Sequence, residues 1–363
     1  MSTAGPPQGA QHRSPQGEGT PVGIDLNLSA DQREILAAVG KLLADRFPVA
    51  RLRGPQATSV DATQLPALAD MGIFGLGCPE SVGGAGFSIV EDCLVFVELG
   101  RHLVTPHALA ATLGARVALA LGQANLAGEM LSGACRVCLA NMLEPWLPGQ
   151  TADGPAHLLD PAGARLAVVW NDAGMGLLRC DALAGASLDS TDRSVPLQRC
   201  LVTPAAVHGW VGAEQAPLSR HAHLLVAAQL LGMAEASRDM AADYARVRVQ
   251  FGQAIGAFQA VKHRCANMAI GAEALRAQLV MAAIAERDGW PDAAFQVDAC
   301  RLLAPRYALA NAAANIQVHG GMGFTAECDA HLYLLRAHLL EHLGGPVRAV
   351  RARLAGVESL PSS

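Results

Sequence analysis

The residues best suited to chemistry lie in the last third of the sequence, where RVRVQFGQAIGAFQAVKHRCANM covers residues 246–268. The guanidinium of Arg248 carries a permanent charge and presents a planar fork that fits a pyrophosphate. Phe251 follows where an apolar ring could lie against a cofactor, and Gln259 offers both a hydrogen-bond donor and an acceptor. These residue types could serve a phosphate-containing ligand, but an arginine alone is more often simply solvated.

A second stretch, NIQVHGGMGFTAECDAHLYLLRA at residues 315–337, contains a glycine-rich turn. Gln317 precedes Gly320 and Gly321, where a backbone without Cβ can approach a ligand closely. A double glycine alone is usually a turn or the cap of a helix. The turn therefore gains a functional meaning only if the fold brings it together with the arginine-containing stretch.

The composition predicts a large core built mainly from small and aliphatic residues. Of the 363 residues, 51% are hydrophobic, 16% are charged and 4% are aromatic, which favours packing of helices on helices. The net charge of −5 gives no general attraction to nucleic acid. We expect no membrane span, because no apolar run approaches about 18 residues, and no secretory signal. Nine cysteines without a framework spacing predict reduced thiols and a cytoplasmic location.

Hydrophobic spacing predicts three domains after a Pro/Gly/Gln/Ser tail at residues 1–23, which we expect to be disordered. Residues 24–133 predict a helical domain whose first helix follows a capping-box pattern at Ser29 and Gln32. Residues 134–213 lose the helical period and predict a small antiparallel β domain. The strand-forming runs are residues 136–139, 165–170, 176–178 and 199–202.

Residues 214–357 predict an antiparallel four-helix bundle, so the fold class is mainly α with a small β domain. The four long helical patterns cover residues 219–246, 257–287, 291–319 and 326–342.

Both chemistry-bearing stretches closely resemble the two C-terminal signatures of the acyl-CoA dehydrogenase family. The loop CPESVGGAGFSIVEDCLVFVELGR, residues 78–101, resembles that family's N-terminal Pro-Glu and Gly-Gly motif, and the domain order agrees. The resemblance covers about residues 26–355. It implies the family's fold, with a helical N-terminal domain, a β middle domain and a C-terminal four-helix bundle. It also implies FAD-dependent α,β-dehydrogenation of an acyl-CoA, with an electron-transfer flavoprotein as the acceptor.

The resemblance further implies which residues bind FAD, and that each flavin is shared between two chains. Arg248 is placed at the pyrophosphate, while the glutamine and glycine turn is placed at the adenine end. The implied cofactor-binding residues are Arg248, Phe251, Gln259, Gln317, Gly320 and Gly321.

The sequence departs from the family where the reaction itself takes place. In the family a carboxylate removes the α-proton, and counting from the glycine motif puts its position at Gly344, in HLLEHLGGP. The alternative position, early in the helix that follows the β domain, corresponds to Ala222. Glu341, three residues before the first position, is a candidate base if the loop is rearranged. Otherwise it is an exposed glutamate at a helix end.

The middle domain departs as well. Of the family's Thr-Glu-Pro-x-x-Gly-Ser-Asp stretch, Glu144 and Pro145 remain, while Leu143 occupies the threonine position. Trp170 and Asn171 are a weak counterpart of the second motif that contacts the flavin ring. The sequence thus keeps the adenine-side motifs and loses those beside the ring.

This asymmetry resembles one chain of the bacterial acyl-CoA dehydrogenases that assemble as α2β2 heterotetramers from two unlike, homologous subunits. The ending HLGGPVRAVRARLAG and the short middle domain add to that resemblance. In those enzymes one chain lacks the catalytic carboxylate, and the substrates include bulky, steroid-derived acyl-CoA esters. We therefore predict a subunit without its own base. A homotetramer that uses Glu341 and a degenerate, non-catalytic binding or scaffold subunit are the alternatives.

Three further patterns have simpler interpretations. HLLEH at residues 338–342 fits an H-x-x-E-H zinc motif, but too few residues follow to supply a third ligand, so we expect no metal. Cys135 and Cys138 form a C-x-x-C without the second pair of a zinc ribbon, and on a strand their thiols diverge. His221 and His223 flank Ala222 and are expected to be solvated or core histidines rather than substrate contacts.

Overall fold

The computed structural model describes residues 27–54, 64–104, 106–149 and 153–356, so the predicted tail at residues 1–23 lies outside it. Helices come first along the chain, a seven-stranded sheet follows, and long helices form the C-terminal part. This order confirms the predicted mainly α fold with a small β domain.

The N-terminal part contains short and medium helices. They are α1 (Ala30–Arg46), α2 (Leu65–Asp70), α3 (Ile89–Arg101), α4 (Pro106–Ala120) and α5 (Ala124–Leu131). Ser29 and Gln32 form the predicted capping box at the start of α1. Most of α3 and α4 is buried, since α3 packs against C-terminal helices and α4 lies on the sheet. Apolar spacing did not predict α5, which has only eight residues.

The sheet has the strand order β5-β6-β2-β1-β3-β4-β7. Its strands are β1 (Val137–Met142), β2 (Gly154–Leu159), β3 (Leu166–Asn171), β4 (Gly174–Arg179), β5 (Gly185–Leu188), β6 (Leu197–Val202) and β7 (Val207–Gly212). The prediction of an antiparallel domain is wrong at one pair, because β1 and β3 are parallel. Strand β2 runs antiparallel to β1 and brings the chain back to the end of the sheet where β1 began. Strand β3 then starts there, on the side of β1 opposite to β2. Of the seven strands, β2, β5 and β7 lie outside the predicted runs.

Three long helices dominate the C-terminal part: α6 (Leu218–Val247), α7 (Gln259–Asp288) and α8 (Ala293–His319). The fourth helix, predicted over residues 326–342, is shorter in the structure, where α9 covers only Ala330–Leu340 after a 3-10 turn at Gly320–Phe324. A further helix, α10 (Val347–Gly356), ends the described chain. Among the described helices, α7 alone has the length and apolar content of a membrane span. Half of that stretch is buried inside the protein, where α7 packs against both α6 and α8.

A buried ion pair holds α9 against the other two parts of the molecule. The guanidinium of Arg336 is 1% exposed and donates to Asp192, between β5 and β6, at 2.5 Å. It also donates to the hydroxyl of Ser194 at 2.9 Å and to the carbonyl of Leu103, just after α3, at 3.0 Å. Removing one partner of such a pair leaves an uncompensated buried charge.

We predict that Arg336→Ala lowers the free energy of unfolding by about 3–5 kcal/mol, because Asp192 loses its counterion in a dry environment. The control is Arg53→Ala, since Arg53 is 43% exposed in its 2.6 Å pair with Asp329. That variant should lose less than about 1 kcal/mol. Urea unfolding followed by circular dichroism measures both changes, and equal losses would contradict the prediction.

Candidate functional site

The stretch around Arg248 forms a tight β-hairpin directly after α6. The strands β8 (Val249–Gln250) and β9 (Gln253–Ala254) flank Phe251 and Gly252, whose φ angles of 51° and 80° are those of a type I′ turn. A left-handed conformation is unfavourable for a phenylalanine by about 1–2 kcal/mol. The ring is nevertheless 93% exposed. A strained, exposed aromatic residue is typical of a position that contacts a ligand or a partner.

The glycine turn lies at the same end of the helices as this hairpin. The rings of Tyr244 and His319 stack with their centroids 4.2 Å apart. The carbonyl of Tyr244 accepts a hydrogen bond from the backbone N–H of Arg248 at 2.9 Å, and His319 directly precedes Gly320. The structure therefore brings together the two stretches that the sequence singled out.

A small core fixes this arrangement. It joins the end of α6, the start of α7 and the end of α8, and it is separate from the main core. Its buried residues are Ala241, Ala245, Met268 and Val318, with Tyr244, Ile255, Val261 and Ala314 packed against them. Within the turn, a Cβ on Gly323 would lie 2.5 Å from the carbonyl oxygen of Ile316, whereas Gly320 and Gly321 face open space.

All six predicted cofactor-binding residues are exposed on this part of the molecule, which we call the end surface. It consists of Arg248, Phe251, Gln259, Gln317, Gly320 and Gly321. The side chains of Phe324, Val247 and Val249 extend it with more than half of each exposed. A cation, two amides, an aromatic ring and open glycine backbone can together bind the phosphate and base of a nucleotide.

The position counted for the base has no room for a side chain. Gly344 has φ 76°, and a Cβ there would overlap the indole nitrogen of Trp170 and lie 2.5 Å from Cε1 of His223. Trp170 comes from β3 and His223 from α6, and their rings meet edge to face at 6.4 Å. The sheet, α6 and the loop after α9 therefore pack tightly against one another at this position. We call this packing of Trp170, His223 and Gly344 the closed region.

The alternative base position also has no carboxylate, because it is occupied by Ala222. This alanine is fully buried in α6. Of its two neighbouring histidines, His223 is buried and His221 is half-buried beside Arg116. Burial, with the charge of nearby Arg301, lowers the pKa of His223 well below its usual value. Burial and the nearby charge of Arg116 lower the pKa of His221 to about 3. Both imidazoles are therefore neutral at pH 7.

Glu341 is not the exposed helix-end glutamate that one interpretation of the sequence predicted. It is half-buried rather than exposed, and its carboxylate accepts a hydrogen bond from Nδ1 of His338 at 2.7 Å. The cavity that Glu341 lines with His223 and Arg301 has a volume of about 20 Å³. Such a space holds about one water molecule and not an acyl thioester.

An ion network that the sequence did not reveal holds the Gly344 loop in place. Arg301 donates to the carbonyl of Gly344 at 3.1 Å and to Asp172, in the β3–β4 turn, at 2.9 Å. Arg353 of α10 reaches the same Asp172 at 2.6 Å and Asp298 of α8 at 2.8 Å. Arg301 and Arg353 therefore connect the Gly344 loop and α10 to the β3–β4 turn and to α8.

The N-terminal and C-terminal domain models of the acyl-CoA dehydrogenases match residues 29–137 and 208–356 of the chain. The acyl-CoA dehydrogenase FadE34 of Mycobacterium tuberculosis is 36% identical over 296 residues, which are 78% of this chain. The chain belongs to the acyl-CoA dehydrogenase family. It spans only 40% of the length of FadE34. The acyl-CoA dehydrogenase IpdE2 of the same organism is 33% identical over 78% of this chain and 82% of its own length.

Solved acyl-CoA dehydrogenase structures share the fold. A variant of the Tcur3481-Tcur3483 steroid acyl-CoA dehydrogenase is 25% identical with a TM-score of 0.77, over 90% of this chain and 96% of its own. The ChsE4-ChsE5 complex from Mycobacterium tuberculosis has 24% identity and a TM-score of 0.75, over 93% and 100% of the two chains. Members of this family bind FAD.

We predict that Gly344→Ala lowers the free energy of unfolding by about 2–4 kcal/mol, because the new methyl group would overlap Trp170 and the backbone has a positive φ. Gly345→Ala is the control, since its φ is 104° but no atom lies within 4 Å of a Cβ there. It should lose about 1–2 kcal/mol from backbone strain alone. Chemical denaturation distinguishes the two, and equal losses would exclude the packing explanation.

We also predict that His223 makes the fold acid-sensitive. The unfolded chain protonates this imidazole near its usual pKa of about 6.5, whereas the folded chain does not, so stability present above that pH is lost as pH falls. The loss per histidine is at most about 1.4 kcal/mol per pH unit. In unfolding measurements at pH 7, 6 and 5, His223→Gln should show a shallower dependence than the wild type. Identical slopes would contradict this assignment.

Proposed function

We propose that this chain is one subunit of a heteromeric, cytoplasmic, FAD-dependent acyl-CoA dehydrogenase. It contributes the adenine-side contacts of a flavin whose reaction takes place on a homologous partner chain. The observation that carries the proposal is the packing at Gly344. A carboxylate cannot occupy that position without displacing Trp170 and His223.

The adenine half of the cofactor fits the end surface. Arg248 would bind the pyrophosphate, and the open backbone at Gly320 and Gly321 would accept the close approach of the adenosine. Phe251 supplies an aromatic face that is 93% exposed in the chain by itself. Covering this ring with a ligand and a second chain removes apolar surface from water, which favours assembly.

The ring half of the cofactor does not fit this chain. Bound FAD supplies the hydride acceptor of the family's reaction, and a carboxylate must face the same carbon chain to remove the α-proton. Here the indole of Trp170 lies against Gly344, and Leu143 replaces the threonine of the first ring-contact motif. Glu341 lines a cavity too small for an acyl group. The proton transfer is therefore assigned to the partner.

The relatives support a two-chain enzyme and a bulky substrate. One structural neighbour is a complex of two different chains, ChsE4 and ChsE5, and another is a steroid acyl-CoA dehydrogenase. We propose by analogy a bulky, ring-containing acyl-CoA thioester as the substrate. An electron-transfer flavoprotein would then reoxidise the flavin, as it does in the family.

The test is to express the chain alone and together with a homologous dehydrogenase chain that carries the catalytic carboxylate. Flavin content, from the absorbance band at about 450 nm, and dehydrogenase turnover are measured for each preparation. We expect weak flavin retention and no turnover from the lone chain, and both from the complex. Tight FAD binding with full turnover by the lone chain would overturn the proposal.

Variants within the complex assign the roles. We predict that Arg248→Ala weakens flavin retention by about 10- to 100-fold, because a charge-assisted contact to the pyrophosphate is lost. Arg246→Ala is the control, since Arg246 pairs with Asp243 on the surface at 2.7 Å, and it should leave flavin content unchanged.

Glu341→Gln should leave turnover within about twofold, because this carboxylate is not the base. Loss of turnover there would favour the homotetramer.

A further inference from the structure

The β domain contains three neighbouring thiols that have no part in the proposed flavin site. Cys138 lies on β1 and Cys200 on β6, both buried in the small core on one face of the sheet, and Cys180 packs against that core just after β4. The sulfur atoms of Cys138 and Cys180 are 3.9 Å apart. A disulfide bond is about 2.05 Å long, so the two atoms must approach by about 2 Å to join.

The structure selects a different pair from the one suggested by the C-x-x-C motif. Cys135 belongs to the main core on the face of the sheet that packs against the helices, whereas Cys138 belongs to the small core on the opposite face. The sheet therefore separates the two cysteines of the motif. The neighbour of Cys138 in space is Cys180, 42 residues further along the chain.

The two thiols of this pair differ in access and in acidity. Cys138 is 1% exposed, whereas Cys180 is half-buried and lines an open groove of about 940 Å³. The hydrogen bond between them lowers the pKa of Cys180, and the same contact together with burial raises the pKa of Cys138 well above its usual value. Cys180 is thus the accessible sulfur that can be a thiolate, and Cys138 is the protonated sulfur behind it.

We propose that Cys180 and Cys138 are a site of reversible thiol oxidation, with Cys180 as the reactive thiol and Cys138 as the resolving thiol. Hydrogen peroxide, entering through the groove, oxidises the Cys180 thiolate to a sulfenic acid and releases hydroxide. The sulfur of Cys138 then attacks the sulfenic sulfur, the S–O bond breaks, and water leaves as the S–S bond forms. In total the two thiols lose two hydrogen atoms, and one peroxide is reduced to two waters.

Two cysteines that are buried in the main core provide a comparison with Cys180. Cys93 and Cys300 are buried in the main core, and burial raises the pKa of each thiol. Neither lies in the wall of the groove, and Cys135, which does, is only 2% exposed and has its pKa raised by burial. Oxidation should therefore be selective for Cys180 at low peroxide, because exposure and thiolate character coincide there. A disulfide at this place would connect β1 to the segment after β4 across β3.

Peptide mapping tests the proposal on the full chain, because trypsin separates all the relevant thiols. Cleavage after arginine puts Cys135 in peptide 117–136, Cys138 in 137–165, Cys180 in 180–193 and Cys200 in 200–220. The protein is treated with hydrogen peroxide, alkylated and digested without reductant. We expect the linked pair 137–165 with 180–193, two hydrogens lighter than the sum of the peptides and separated again by dithiothreitol.

Serine variants assign the order of the two steps. Cys138→Ser should leave Cys180 as a sulfenic acid that dimedone labels, whereas Cys180→Ser should leave Cys138 unmodified at the same peroxide concentration. Cys135→Ser is the matched control and should keep the link. A wild-type map that shows a 135–138 link, a 180–200 link or no link at all would overturn the proposal, even if a variant fails to fold.

Discussion

The close approach of Gly344 to the indole of Trp170 determines what this chain can do. A glycine is required there twice, once for its positive φ and once because a Cβ would overlap the indole and the imidazole of His223. Arg301 donates a hydrogen bond to the carbonyl of Gly344 and so fixes the loop, and Asp172 connects Arg301 to the sheet. The sheet, α6, α8 and α10 thus meet around this contact, which leaves no room for a side chain at position 344.

The closed region and the end surface lie at opposite ends of one helix. His223 is near the start of α6 and Tyr244 is near its end, which at 1.5 Å per residue places them about 30 Å apart. At the first end Trp170 and His223 occupy the space beside Gly344, and at the second Phe251 is exposed in a strained conformation. Under our proposal, the first end lacks the base that the reaction needs, and the second end supplies the cofactor contacts that are shared with a second chain.

Local patterns predicted the parts of the molecule that depend on local physics. Periodicity identified the long helices, Ser29 and Gln32 identified a helix start, and glycine-containing motifs identified the end surface, because each rests on residues close together in sequence. The parallel β1–β3 pair, the shortened α9 and the Gly344 contact depend on residues from distant segments. The thiols show both sides of this limit, since strand geometry predicted that Cys135 and Cys138 diverge, whereas the approach of Cys138 to Cys180 depends on the sheet.

The closed region contains two buried polar atoms whose presence stability alone does not explain. Among the described residues, the indole nitrogen of Trp170 and Nε2 of His223 are buried without a hydrogen-bond partner. Each such atom is unfavourable by about 1–3 kcal/mol, so a core selected only for stability would hold apolar groups there. The two unpartnered atoms therefore show that packing stability alone does not explain the residues of this region. Under our proposal the explanation is a division of work between two chains, in which this one contributes contacts to the cofactor.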